Sequence, residues 1–167
     1  MAKFVEMAEK VEPQQKYKPI ENHGIIGDLN TIAIVGLDGT IDFMCFHDFD
    51  SPSIFASLLD ADKGGKYQIS PDFKSMRSRQ MYLPDTNVLL TRFQSPEGVG
   101  EITDFMPVEA LYCGKEIIRR VTSVRGKVNY KMQCMPRLDY GNTPHTDDAI
   151  SDNEKEVRVS EEITSLR

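Results

Sequence analysis

Residues 31–46 read TIAIVGLDGTIDFMCF. Two apolar runs, TIAIV and IDFMCF, flank an Asp-Gly pair. That pair suits the backbone of a tight turn, so the stretch predicts a β-hairpin. Downstream, KVNYKMQCM at 127–135 puts Val128, Tyr130, Met132 and Cys134 on one face. Asn129, Lys131 and Gln133 fall on the other, the period of two expected of a half-buried antiparallel strand. Further strand candidates are 66–70, 87–93, 101–106 and 116–124, with SPEG at 95–98 and Arg-Gly at 125–126 as turn chemistry. Many short strands in series predict an all-β, antiparallel β-sandwich.

One short helix is expected near residues 51–60. Ser51 suits an N-cap and Pro52 the first helical position, and Ile54, Phe55, Leu58 and Leu59 share one face. With Phe46 and Phe49 they are expected to bury the corner that carries the acidic tip. Residues 1–16 read as a lead-in with a short helix stopped by Pro13, and 17–167 as the sandwich. Residues 142–156 read as a polar loop, and the tail EVRVSEEITSLR begins another strand-like run. The sandwich is therefore expected to be incomplete at its C-terminal end, with unpaired edges that invite self-association.

The 167 residues carry a net charge of −6, which argues against a nucleic-acid surface. Arg119, Arg120 and Arg125 are expected to be solvated side chains at a strand end. The three cysteines form no C-x-x-C pair, which points to a reducing compartment. MAKFVEMAEKVEPQQ lacks an apolar run of signal-peptide length, and no segment reaches the roughly 18 apolar residues of a membrane span. The expectation is a cytoplasmic protein with neither nucleic acid nor membrane as a partner.

Several motifs invite chemistry and fall short of it. Asp38-Gly39-Thr40 ends a strand as in haloacid-dehalogenase-type phosphatases, but Gly36 stands where the nucleophilic carboxylate is needed. Asp60 and Asp62 begin like a calcium loop, yet Gly64 and Pro71 occupy ligand positions. His47, Asp48 and Asp50 would have to fold back on one point to hold a metal, and the usual ligand spacings differ. No metal or cofactor is expected. His23 and His145 have no assignable partner. Asp28, Asp42, Asp48, Asp50, Asp85, Asp104 and Asp139 read mostly as turn-formers.

Four blocks then stand in order: PIENHGIIGDLNTIAIVGLDGTIDFMCFHDFDSPSIFASLLD, YLPDTNVLLTRF, GVGEITDFMPV and IIRRVTSVRGKVNYKMQCMPRLDYG. Together, over about residues 17–141, they resemble the N-terminal domain of the trehalase-like and glucoamylase-like enzymes of glycoside hydrolase family fifteen. The resemblance implies a non-catalytic β-supersandwich followed by an (α/α)-barrel. The barrel carries a general acid and a general base that hydrolyse α-glucosidic bonds with inversion. It implies no catalytic residue in this chain, a barrel partner in cis or in trans, and α-glucosides as the substrate class. One departure is Phe43, where the family often has Trp. A pinned acidic tip, His47, Asp48 and Asp50, together with Arg137, Asp139 and Tyr140, is expected to face the barrel or its substrate entrance. A free-standing carbohydrate-binding module is the alternative, with Tyr17, Tyr67, Tyr82, Tyr112 and Tyr140 as sugar platforms. A third reading is a structural half that assembles with a separately encoded barrel.

Overall fold

The computed structural model describes residues 17–46, 48–108 and 116–142, and the backbone of two further strands at 154–157 and 162–166. The expected lead-in helix lies outside the described residues. Two antiparallel sheets form the molecule, as the strand pattern predicts. The first runs β1 (His23–Gly27), β2 (Ile32–Gly36), β3 (Thr40–Cys45), β5 (Lys66–Pro71), β10 (Tyr130–Met135) and β11 (Glu154–Val157), with β4 (Ser53–Phe55) also paired to β3. The second runs β12 (Glu162–Leu166), β9 (Ile117–Arg125), β8 (Val99–Phe105), β7 (Leu89–Gln94) and β6 (Arg77–Tyr82). The tail thus adds one strand to each sheet, β11 on β10 and β12 on β9. Among the described residues no helix is long and apolar enough to cross a membrane.

Alternation decides what each strand buries. In β7 Leu89, Thr91 and Phe93 point inward, and in β8 Gly100, Ile102 and Asp104 do. They meet Val35, Ile41, Tyr67, Ile69 and Tyr130 of the first sheet in one core. Burying each large side chain contributes about 1.5–3 kcal/mol.

The expected helix at 51–60 is not formed. Ser53–Phe55 is a strand, with Met44 opposite Phe55 and Cys45 opposite Ser53. The backbone donors that would build helical turns are taken from outside: Ala56 N–H donates to the Gly64 carbonyl at 2.7 Å, Ser57 to Gly65 at 3.1 Å and Leu58 to Asp42 at 3.0 Å. Tertiary pairing overrides a capping signal that is weak by itself. The burial expectation needs a second correction, because Phe55 is buried while Phe49 and Leu59 are each 61% exposed.

Arg119 is the third correction. It has no solvent-accessible surface, because in IIRRVTSV it keeps phase with the buried Ile117 and Val121. Asp104 lies directly opposite it on β8. Arg119 Nε donates to Asp104 Oδ1 at 2.9 Å and Nη2 to Oδ2 at 3.2 Å. Its other donors cross to the first sheet, Nη1 to the Tyr67 carbonyl at 3.1 Å and Nη2 to the Gly39 carbonyl at 2.7 Å. The guanidinium sits 4.8 Å from the centre of the Tyr67 ring. One side chain therefore ties the two layers together at the Asp-Gly turn. Burial pushes the Tyr67 hydroxyl up to about 12, against the opposing pull of Arg119.

The layers are also tied along the β1 and β6 edges. The Tyr82 hydroxyl accepts from Ile25 N–H and donates to the Ile25 carbonyl, both at 2.8 Å. Asn87 Nδ2 donates to the Gly27 carbonyl at 3.0 Å. These contacts occupy edge groups of β1 that would otherwise recruit another strand.

Candidate functional site

Two polar constellations remain once the core is accounted for. The first lines a half-open cavity of about 150 Å³ bounded by Tyr17, Lys18, His23, Asp38, Asp42 and Lys66, among others. The Asp-Gly hairpin brings Asp38 and Asp42 to its wall. Lys18 Nζ lies 2.8 Å from Asp38 Oδ1 and 2.9 Å from Asp42 Oδ2. His23 has partners after all: Nε2 is 3.2 Å from Asp42 Oδ2 and Nδ1 is 3.0 Å from the Pro19 carbonyl. Ser57 donates to Asp42 Oδ1 at 3.1 Å. With both oxygens engaged, Asp42 anchors the 17–23 segment and the 57–61 turn to β3.

Burial raises the pKa of Asp38, but the hydrogen bond and charge of Lys18, with help from Thr40, bring it net below its ordinary 3.8. A carboxylate whose folded pKa is depressed adds stability above its unfolded pKa and loses it as pH falls through the folded value. Lys18→Met is therefore expected to flatten the fall of the urea midpoint on acidification from pH 5 to below about 3.8. An unchanged acid profile would remove Lys18 from this role.

The second constellation gathers the residues expected from the sequence. His47 lies outside the described residues. Asp48 and Asp50 are exposed on a tight turn, where Ser51 N–H donates to the Asp48 carbonyl at 3.1 Å and Asp48 N–H to Ser51 Oγ at 3.2 Å. The turn is held at its base, since Thr31 Oγ1 donates to the Cys45 carbonyl at 2.6 Å and Ser53 is fully buried. The 137–141 segment packs against the same base. Arg137 N–H donates to the Ile54 carbonyl at 2.8 Å, and Tyr140 N–H donates to Ser53 Oγ at 2.9 Å. Asp139, Tyr140 and Gly141 follow one another with φ of 52°, 56° and 79°. A left-handed tyrosine is a genuine outlier. The Cys45 thiol, by charge and by hydrogen bond, raises the pKa of the Tyr140 hydroxyl, with smaller contributions from desolvation and Asp139.

Chemically, this face offers an aromatic hydroxyl, exposed carboxylates and apolar tips. Among the described residues no group of three or more His, Cys, Asp or Glu side chains is placed to hold a metal ion. Sequence reasoning missed the Arg119–Asp104 pair and the Lys18–Asp42–His23 cluster. The signal for the first was available in the shared phase of Ile102 with Asp104 and of Ile117 with Arg119.

Residues 13–166 match the family described as "Trehalase-like, N-terminal". The chain belongs to that family. The trehalase of Thermoplasma volcanium is 36% identical over 131 residues, covering 75% of this chain and 21% of that protein. Trehalase 1 of Sulfolobus acidocaldarius is 39% identical over 118 residues, covering 71% of this chain and 19% of that protein. The trehalase of Mycobacterium tuberculosis is 26% identical over 146 residues, with coverage of 74% and 21%. This trehalase-like N-terminal chain thus spans about a fifth of the length of the curated relatives it matches. No solved structure matches it.

Proposed function

We propose that this chain is the non-catalytic β-sandwich part of a trehalase- or glucoamylase-type α-glucoside hydrolase and supports an (α/α)-barrel that carries the acid and base of hydrolysis. The observation that carries the reading is the pair of matches: the family takes in residues 13–166 of this chain, and the trehalases share most of this chain but only about a fifth of their own length. The geometry of the carboxylates supports it. Asp104 is spent on Arg119, and Asp42 on Lys18, His23 and Ser57. Neither is poised as one member of an acid–base pair across a sugar. Among the described residues Cys45, buried, and Cys134, half-buried, are free thiols, which suits a reducing, cytoplasmic setting.

The test is a domain exchange. The matched stretch of the Thermoplasma volcanium trehalase is replaced by this chain, and glucose release from trehalose is compared with that of the same enzyme lacking the stretch. The exchanged enzyme is expected to hydrolyse trehalose at least tenfold faster than the deletion form. Equal rates would reject the supporting role. Saturable binding of trehalose or maltooligosaccharides by this chain alone would favour the carbohydrate-binding module instead.

A further inference from the structure

We infer that the face built from residues 48–53 and 137–141 is the docking surface for the remainder of a trehalase-type polypeptide, with Phe49 and Tyr140 as its apolar anchors. The inference rests on the function proposed above and assigns that function a place on the molecule.

Three observations single out this face. Phe49, Leu138 and Tyr140 expose 61%, 47% and 45% of their surface, on two segments that meet at Ser53 and Cys45. Asp50 and Asp139 are exposed on the same two segments, so these segments offer apolar and acidic groups together, as protein interfaces do. Its backbone is also strained on purpose. Asp139 and Tyr140 are successive non-glycine residues in the left-handed region, and the buried Ser53 hydroxyl accepting from Tyr140 N–H holds them there. Such strain persists where the surroundings enforce it, and it clusters at binding sites.

A second exposed apolar group, around Ile25, Met81 and Tyr82, has its Tyr82 hydroxyl engaged by the Ile25 backbone and serves as the comparison. The occupant follows from length. In the Thermoplasma volcanium trehalase the matched stretch leaves roughly four fifths of the polypeptide outside it. An N-terminal domain must present a face to that remainder. Electrostatic complementarity calls for Lys or Arg side chains opposite Asp50 and Asp139.

The exchanged enzyme described above tests this with Phe49→Asp, Tyr140→Gly and, as a control, Met81→Asp. Tyr140→Gly removes the anchor while relieving the left-handed strain, so the isolated chain should unfold at an equal or higher urea concentration. Phe49→Asp and Tyr140→Gly are each expected to lower kcat/KM for trehalose at least tenfold, with Met81→Asp unchanged. If the exchanged enzyme works and both variants match it, the docking face is overturned and the proposed function stands. If only Met81→Asp impairs it, docking lies on the β1–β6 side and the inference is likewise overturned. An exchanged enzyme no better than the deletion form overturns the proposed function and the docking face with it.

Discussion

Arg119→Met lowers the free energy of unfolding by about 3–5 kcal/mol in a urea titration, the range for breaking one partner out of a buried ion pair. The reason is geometric. Asp104 would be left in a site with no solvent access, having lost the donors at 2.9 and 3.2 Å. The carbonyls of Tyr67 and Gly39 would lose theirs as well. Removing both charges is a different matter, since a buried pair replaced by apolar groups of similar volume is often neutral. Arg119→Met/Asp104→Leu should therefore recover much of the loss. A single variant within about 1 kcal/mol of the parent would mean that the pair does not hold the layers together.

Gly39→Ala is the second large effect, expected at about 2–5 kcal/mol by the same titration. Gly39 has a φ of +80°, which an alanine adopts only with strain. A Cβ there would overlap the Ile69 carbonyl oxygen and press on Ile102 Cδ1 at 3.2 Å. The Gly39 carbonyl also accepts from Ile69 N–H at 3.2 Å and from Arg119. Shifting the turn therefore loosens the guanidinium. The two substitutions act on one junction, so their effects should combine to less than their sum. Strict additivity would show that the turn and the ion pair are independent.

The architecture was legible where an apolar alternation or a turn signal marks the strand. The β2–β3 hairpin was announced by Asp38-Gly39 between apolar runs, and β10 by its alternation. β1 and β6 escaped notice for opposite reasons. Three of the five residues of HGIIG are glycine or histidine, and RSRQMY lies at a sheet edge where little is buried, so no apolar period marks it. The segment after Ser51 misled because its local capping chemistry is sound. Only β3 and the carbonyls of Gly64 and Gly65 make it a strand and turn instead of a helix.

The candidate site was legible as residue types and not as an arrangement. Asp48, Asp50, Arg137, Asp139 and Tyr140 could be named from their blocks. That Tyr140 meets Ser53 across a separation of 87 positions cannot be read from spacing. The Lys18–Asp42–His23 cluster was hidden in the same way, for Lys18 lies before β1, His23 opens β1 and Asp42 lies on β3.

The central claim is that the carboxylates of this chain hold a scaffold together and hydrolyse nothing. The direct measurement is glucose release from trehalose, maltose and longer α-glucans by the purified chain at micromolar concentration. Rates indistinguishable from buffer are expected for every substrate. Turnover of any of them that persists through purification, and is lost in Asp42→Asn or Asp104→Asn protein that remains folded, would contradict it.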